Sequence, residues 1–168
     1  MTAGSSALGS PVLVGGDEPL SALLAGRLEA KLVTGPVRPE DLDGAGAVVF
    51  LPGDRGAAVR SGAPDPDDAE AVLAACAAAA VPRVVVVSSA AVWEPSHHHP
   101  GHTAEEPLGP CRERNALVAA WRRLEAASDR HLAGRAGTTW TVLRPTPVPV
   151  ALGHTVACHL VTEPAGAH

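Results

Sequence analysis

VPRVVVVSSAAVW, residues Val81–Trp93, is the stretch that settles the architecture. Val84–Val87 form an apolar run without alternation, the pattern of a strand buried on both faces of a parallel sheet. Just upstream, DPDDAEAVLAACAAAA (residues 65–80) carries a full set of helix signals. Asp65 serves as N-cap, Pro66 takes the first helical position, acids follow in the first turn, and Pro82 enforces a stop. A helix delivering the chain into a buried strand is half of a βαβ unit.

Outward toward the N-terminus, AVVFLPG (Ala47–Gly53) and LVTGPV (Leu32–Val37) read as strands separated by PEDLDGAG. No crossover helix of useful length fits between Gly35 and Ala45. Farther out, PVLVGG (Pro11–Gly16) is a short apolar run ending in glycines, and Leu20, Leu23, Leu24, Arg27 and Leu28 fall at helical spacing after it. In the other direction, Glu94–Pro110 is a long loop rich in Pro, Gly and His. A second long helix follows over roughly residues 112–132, and a last strand at Trp140–Leu143. The alternation predicts an α/β fold: a Rossmann-like, doubly wound parallel sheet of about five strands in one domain spanning residues 11–150. Residues 1–10 are expected to be a flexible leader and 151–168 a tail outside that domain.

Composition narrows the function classes. At 168 residues the chain suits one domain. Its apolar content comes from Ala, Val and Leu, with only Phe50 and three Trp as aromatics, which suits helices packed closely on a sheet. The formal charge is −5, and Lys31 is the sole lysine, so no basic stripe exists to follow a phosphate backbone and nucleic acid is not an expected partner. Cys76, Cys111 and Cys158 show no paired spacing, which points to a reducing, cytoplasmic setting. The longest apolar run, Ala71–Pro82, falls short of the ~20 residues a membrane helix needs, and no membrane association is expected.

Three segments together, VPRVVVVSSAAVW, RRLEA (Arg122–Ala126) and TTWTVLRPTPV (Thr138–Val148), resemble the extended short-chain dehydrogenase/reductases, the NAD-dependent epimerases and dehydratases of nucleotide sugars. The resemblance implies a catalytic Ser at the end of the central strand, a Tyr, and a Lys four residues after it. There the Lys lowers the Tyr pKa and the Tyr exchanges a proton with the substrate oxygen. Ser89 matches the serine. Counting back from Leu-Glu-Ala puts Ala119 and Arg123 at the Tyr and Lys positions, while a register anchored on Asn115 puts Leu117 and Trp121 there. The chain contains no tyrosine at all, and arginine is too basic to act as a proton acceptor. Trp93 and Pro149 likewise stand where the family shows tyrosines.

On the same resemblance, LVTGPV and AVVFLPG correspond to the third and fourth strands, so the second strand and its helix are expected to be missing, and with them the group that binds the adenosine ribose. The tail is then a remnant of a substrate domain. In the phosphate turn Gly15 and Gly16 remain, but Glu18 stands at the second glycine position and Ser21 at the third. Carboxylates at Asp17 and Glu18 would repel a diphosphate, so the expectation is that no cofactor binds, with NAD(P) as the alternative.

Other candidates sit in the loop. His97, His98, His99 and His102 could act as acid or base, with Glu94, Glu105 and Glu106 nearby. Consecutive loop residues point in different directions, so a metal site is not expected, and His154, Cys158 and His159 lack a second ligand pair. Trp93, Arg123 and Arg144 are the expected pocket residues, and Ser89, His98, His99 and Glu94 the catalytic candidates. Ala71, Ala74, Ala75 and Ala78 give the first long helix a small-residue face, which the resemblance associates with a homodimer or a heteromer with a homologous enzyme. The leading expectation is a non-redox auxiliary protein that binds a partner or a small ligand. The alternatives are a cofactor-independent cyclase, dehydratase or isomerase using the histidine loop, and an NAD(P)-dependent epimerase, dehydratase or reductase.

Overall fold

The computed structural model describes residues 9–15, 19–52, 64–89, 92, 115–145 and the strand 158–162. Strands β1 (Pro11–Val14), β2 (Lys31–Val33), β3 (Ala47–Phe50), β4 (Arg83–Val87), β5 (Thr139–Pro145) and β6 (Cys158–Thr162) alternate with helices α1 (Pro19–Leu28), α2 (Pro66–Ala78) and α3 (Ala116–Leu132). They form one sheet in the order β2-β1-β3-β4-β5-β6. The first five are parallel, as the unbroken apolar runs require, and β6 runs antiparallel to β5. Residues 151–168, expected to be a tail outside the domain, instead supply an edge strand of the sheet at Cys158–Thr162.

The chain winds one way from β1 to β2 and the opposite way from β3 through β5. Because such crossovers are right-handed, α1 lies on one face of the sheet and α2 and α3 on the other. The reversal falls between β1 and β3, whose registers pair Val12 with Val48 and Val14 with Phe50.

One expectation needs correction. The slot beside β1 is not vacant: Lys31–Val33 pairs with Val12–Val14 in it, since the ten residues of α1 return the chain directly alongside the strand it left. The sheet therefore lacks an outer neighbour to β2 among the described residues, rather than β2 itself.

The helices begin as their sequences specify. Asp65 Oδ1 accepts the N–H groups of Asp67 at 2.9 Å and Asp68 at 3.4 Å, and Pro66 opens α2. Asn115 Oδ1 accepts the Val118 N–H at 3.2 Å at the start of α3. At its far end α2 closes with paired bonds from Val81 N to Cys76 O (3.1 Å) and Ala80 N to Ala77 O (3.4 Å), with Ala80 at a φ of 50°.

The core lies between the sheet and α2 and α3. Val48, Phe50, Val84, Val86 and Val142 meet Val72, Leu73, Cys76, Trp121, Leu124 and Leu132, all buried. The alternate strand positions Val49, Val85 and Val87 are only half-buried, because among the described residues α1 alone stands on that face, beside β1 and β2.

Candidate functional site

The carboxyl ends of the parallel strands bring the site residues to one edge of the sheet. At the end of β1, Gly15 donates its N–H to Val33 O at 3.1 Å, and Leu51 N–H reaches Val14 O at 2.8 Å. A Cβ on Gly15 would lie 2.9 Å from Ser21 Oγ and 3.4 Å from Leu51 Cβ. Ser21, fully buried in the first turn of α1, therefore presses against the strand end, and any side chain at residue 15 would have to displace its hydroxyl. That contact sets α1 with its amino end at the mouth of the crevice between β1 and β3. The positive end of a helix there favours an anion. Gly16, Asp17 and Glu18 lie outside the described residues.

A second constellation sits at the ends of β4 and β5. Glu125, on the buried side of α3, accepts two bonds from Arg144: Nε to Oε1 at 2.9 Å and Nη2 to Oε2 at 2.7 Å, with both side chains 10% exposed. Ser88 Oγ donates to Glu125 Oε1 at 2.6 Å, and Ser88 N–H donates to Leu143 O at 2.7 Å. The adjacent Ser89 is half-buried, and its carbonyl accepts the N–H of buried Val92 at 3.1 Å. Arg122 Nε in turn donates to Val92 O at 2.9 Å. A forked guanidinium–carboxylate pair holds direction as well as charge, so these strand ends are fixed in angle.

The sequence-derived candidates fare unevenly. Ser89 lies just beyond β4 and is half-buried. Arg144 is buried, and its guanidinium is bonded to Glu125. Arg123 is exposed; its neighbour Arg122 makes the contact with the chain beyond β4. Trp93, Glu94, His97, His98, His99 and His102 lie outside the described residues. Ser88, Arg122 and Glu125 were not singled out from sequence. The signal was there: Glu125 interrupts the apolar series Val118, Trp121, Leu124, Leu132 on the sheet-facing side of α3, and a carboxylate in that place needs a cationic partner.

Away from the crevice, Glu70 on α2 bonds to Arg130 and, at 2.6 Å, to His131 Nε2 on α3. The His131 bond and the Arg130 charge hold the Glu70 carboxyl below its ordinary value. Burial pushes the Cys76 thiol up to about 12. Lys31 is exposed, donating to Asp41 O at 2.9 Å. Among the described residues no three His, Cys, Asp or Glu side chains converge as a metal site, and no helix is long and apolar enough to cross a membrane.

A parallel sheet whose strand order reverses beside a glycine-tight turn and a helix amino terminus defines a dinucleotide-binding domain of the Rossmann type. A family model described as NAD(P)H-binding matches residues 24–150, and the chain belongs to that family. No curated protein sequence matches it. Among solved structures it is similar to TunA, an NAD-dependent NDP-hexosamine 5,6-dehydratase involved in tunicamycin biosynthesis, with 20% identity and a TM-score of 0.59 over 86% of this chain and 58% of that one. MoeE5 in complex with UDP-glucose and NAD gives 19% identity and 0.58 over 80% and 52%. A short-chain dehydrogenase/reductase superfamily protein from Agrobacterium tumefaciens with bound NAD gives 20% and 0.60 over 80% and 48%. The resemblance to the extended short-chain dehydrogenase/reductases is thus borne out in fold, and the chain spans about half the length of these structures.

The expectation of no cofactor is overturned. It rested on carboxylates at Asp17 and Glu18, on an absent second strand and on missing glycines. The family match assigns NAD(P)H binding, β2 occupies its slot, and Gly15 with Ser21 retains the tight approach of helix to strand.

Proposed function

We propose that this chain holds NAD(P)(H) in the crevice between β1 and β3 as the dinucleotide-binding part of an epimerase, dehydratase or reductase that works without a tyrosine. The observation that carries this reading is the packing of Gly15 against Ser21 at the point where strand order reverses. Gly15 and the first-turn N–H groups of α1 would take the diphosphate, and Thr34–Gly35, just beyond β2, would lie by the adenosine ribose. Ser89 would border the nicotinamide side. When bound, the nicotinamide supplies hydride transfer. The sequence holds no tyrosine, and Ser89, Glu94, His98 and His99 are this chain's own candidates for moving a proton at the substrate. A nucleoside-diphosphate sugar is the substrate class that neighbours such as MoeE5, bound to UDP-glucose and NAD, suggest.

Titration with NADH and NADPH, followed by nicotinamide fluorescence and thermal unfolding, tests the cofactor reading. At ~100 times its dissociation constant a specific ligand should add about 2.7 kcal/mol of stability. No change in either signal at millimolar nucleotide would defeat it. Replacing His98 and His99 with Ala tests the acid–base role: turnover of a nucleotide sugar should fall while nucleotide affinity holds.

The missing tyrosine favours a second reading, in which the bound dinucleotide is a structural or sensing ligand and the protein assists a homologous enzyme. Exposed Ala71, Ala74 and Ala78 on α2 would supply the contact. Arg substitutions there should then abolish co-elution with the partner, and leave NADPH affinity unchanged.

A further inference from the structure

Helix α3 grips the chain leaving β4 at two points. Glu125 holds Ser88 through the hydroxyl bond of 2.6 Å, and Arg122 holds Val92 through the carbonyl bond of 2.9 Å. Glu125 and Arg122 are three residues apart, hence neighbours on one helix face. Between these anchors lies Ser89, whose carbonyl is tied to Val92 N–H. Arg144 completes the frame from β5, so the two strand ends and the helix share one buried carboxylate. A dry core does not need such a group: stability alone is served as well or better by apolar residues of similar volume. What a forked, three-way bonded carboxylate adds is direction.

That direction bears on one half of the crevice. In this fold class the adenosine ribose is bound at the end of the second strand, here β2, so the nicotinamide half of a ligand crossing the switch point lies over β3, β4 and β5. We infer that Ser88, Arg122, Glu125 and Arg144 are positioning residues that hold Ser89 and Val92 as the seat of the nicotinamide ring, contributing to recognition of that half of the ligand and not of the adenosine half. The inference rests on the dinucleotide reading above.

The experiment compares ligands with and without the ring. Dissociation constants are measured for NADH and NADPH and for ADP-ribose and 2′-phospho-ADP-ribose, on the wild type, Ser88→Ala, Ser88→Thr and Arg122→Met, with thermal unfolding of each. Ser88→Ala deletes the hydroxyl bond to Glu125 and Arg122→Met the guanidinium bond to Val92 O, and both leave the Glu125–Arg144 pair in place, so both should fold. Each should weaken the better-bound nicotinamide nucleotide about tenfold, the value of one hydrogen bond to a charged group, and leave the ring-less ligand within about twofold. Ser88→Thr, which restores the hydroxyl, should recover most of the loss. Equal weakening of both ligand types, or of neither, overturns the positioning role and leaves the dinucleotide reading standing. Failure of the wild type to bind any of the four overturns both.

Discussion

At the residue scale, the contrast between Gly15 and Ala80 separates what chemistry demands from what it tolerates. A Cβ on Gly15 would crowd the Ser21 hydroxyl at 2.9 Å, so a larger residue there requires Ser21 to turn aside. Ala80 sits at a φ of 50°, a left-handed conformation that costs an L-residue roughly 1–2 kcal/mol, yet its closing bonds to α2 are both made. Ala80→Gly should therefore raise stability by about 1 kcal/mol, read as a higher urea midpoint with an unchanged slope. The residue scale is also where sequence reading reached least far. Ser89 was visible because it ends an apolar strand. Glu125 and Arg144 were visible as letters, but their pairing depends on α3 and β5 meeting over β4, which no local pattern encodes. Arg123 drew attention by counting back from Leu-Glu-Ala, and counting cannot tell an exposed guanidinium from the half-buried one beside it.

At the scale of elements, α2 and β4 were legible, and α3 was legible in its course and end but not in its start, which was read near residue 112 and lies at Ala116 behind the Asn115 cap. Asp65, Pro66 and Asn115 cap in the way their types predict, and the valines of β4 are matched by neighbours on both sides. β2 was harder: a three-residue strand is too short for periodicity to fix its partner, and only the length of α1 places it. The clasp between α2 and α3 carries a pH dependence. Glu70 has a lowered pKa when folded, so its contribution is present above the unfolded value near 4.5 and is lost as pH falls through the folded value. Partial exposure of Glu70 keeps the effect modest. Lowering pH from about 5 to about 3 should shift the urea midpoint of the wild type more than that of Glu70→Gln, and equal shifts would rule the clasp out.

For the whole molecule, Cys76 offers a reporter. Its side chain is fully buried and its thiol is pushed up to about 12, so almost no thiolate is available in the native state. In a chain with Cys111 and Cys158 replaced by Ser, labelling of Cys76 by a disulfide reagent should proceed only through opening of the α2–β4 core, with a free energy close to that of global unfolding. Saturating NADPH should slow that labelling by about a hundredfold at ~100 times its dissociation constant, and labelling indifferent to nucleotide would show that the crevice and the core open independently.

The brevity of β2 has a bearing on how the protein behaves in a crowded solution. A parallel sheet ends in a row of unspent amide and carbonyl groups, and a long, flat row invites a neighbouring molecule to continue the ladder. Here that row runs only from Lys31 to Val33, opens on an exposed ammonium group and is followed three residues later by Pro36, which has no N–H to offer. Few registers are available to an incoming strand on that margin, so intermolecular β-pairing is blunted there by length and charge, with no covering helix among the described residues.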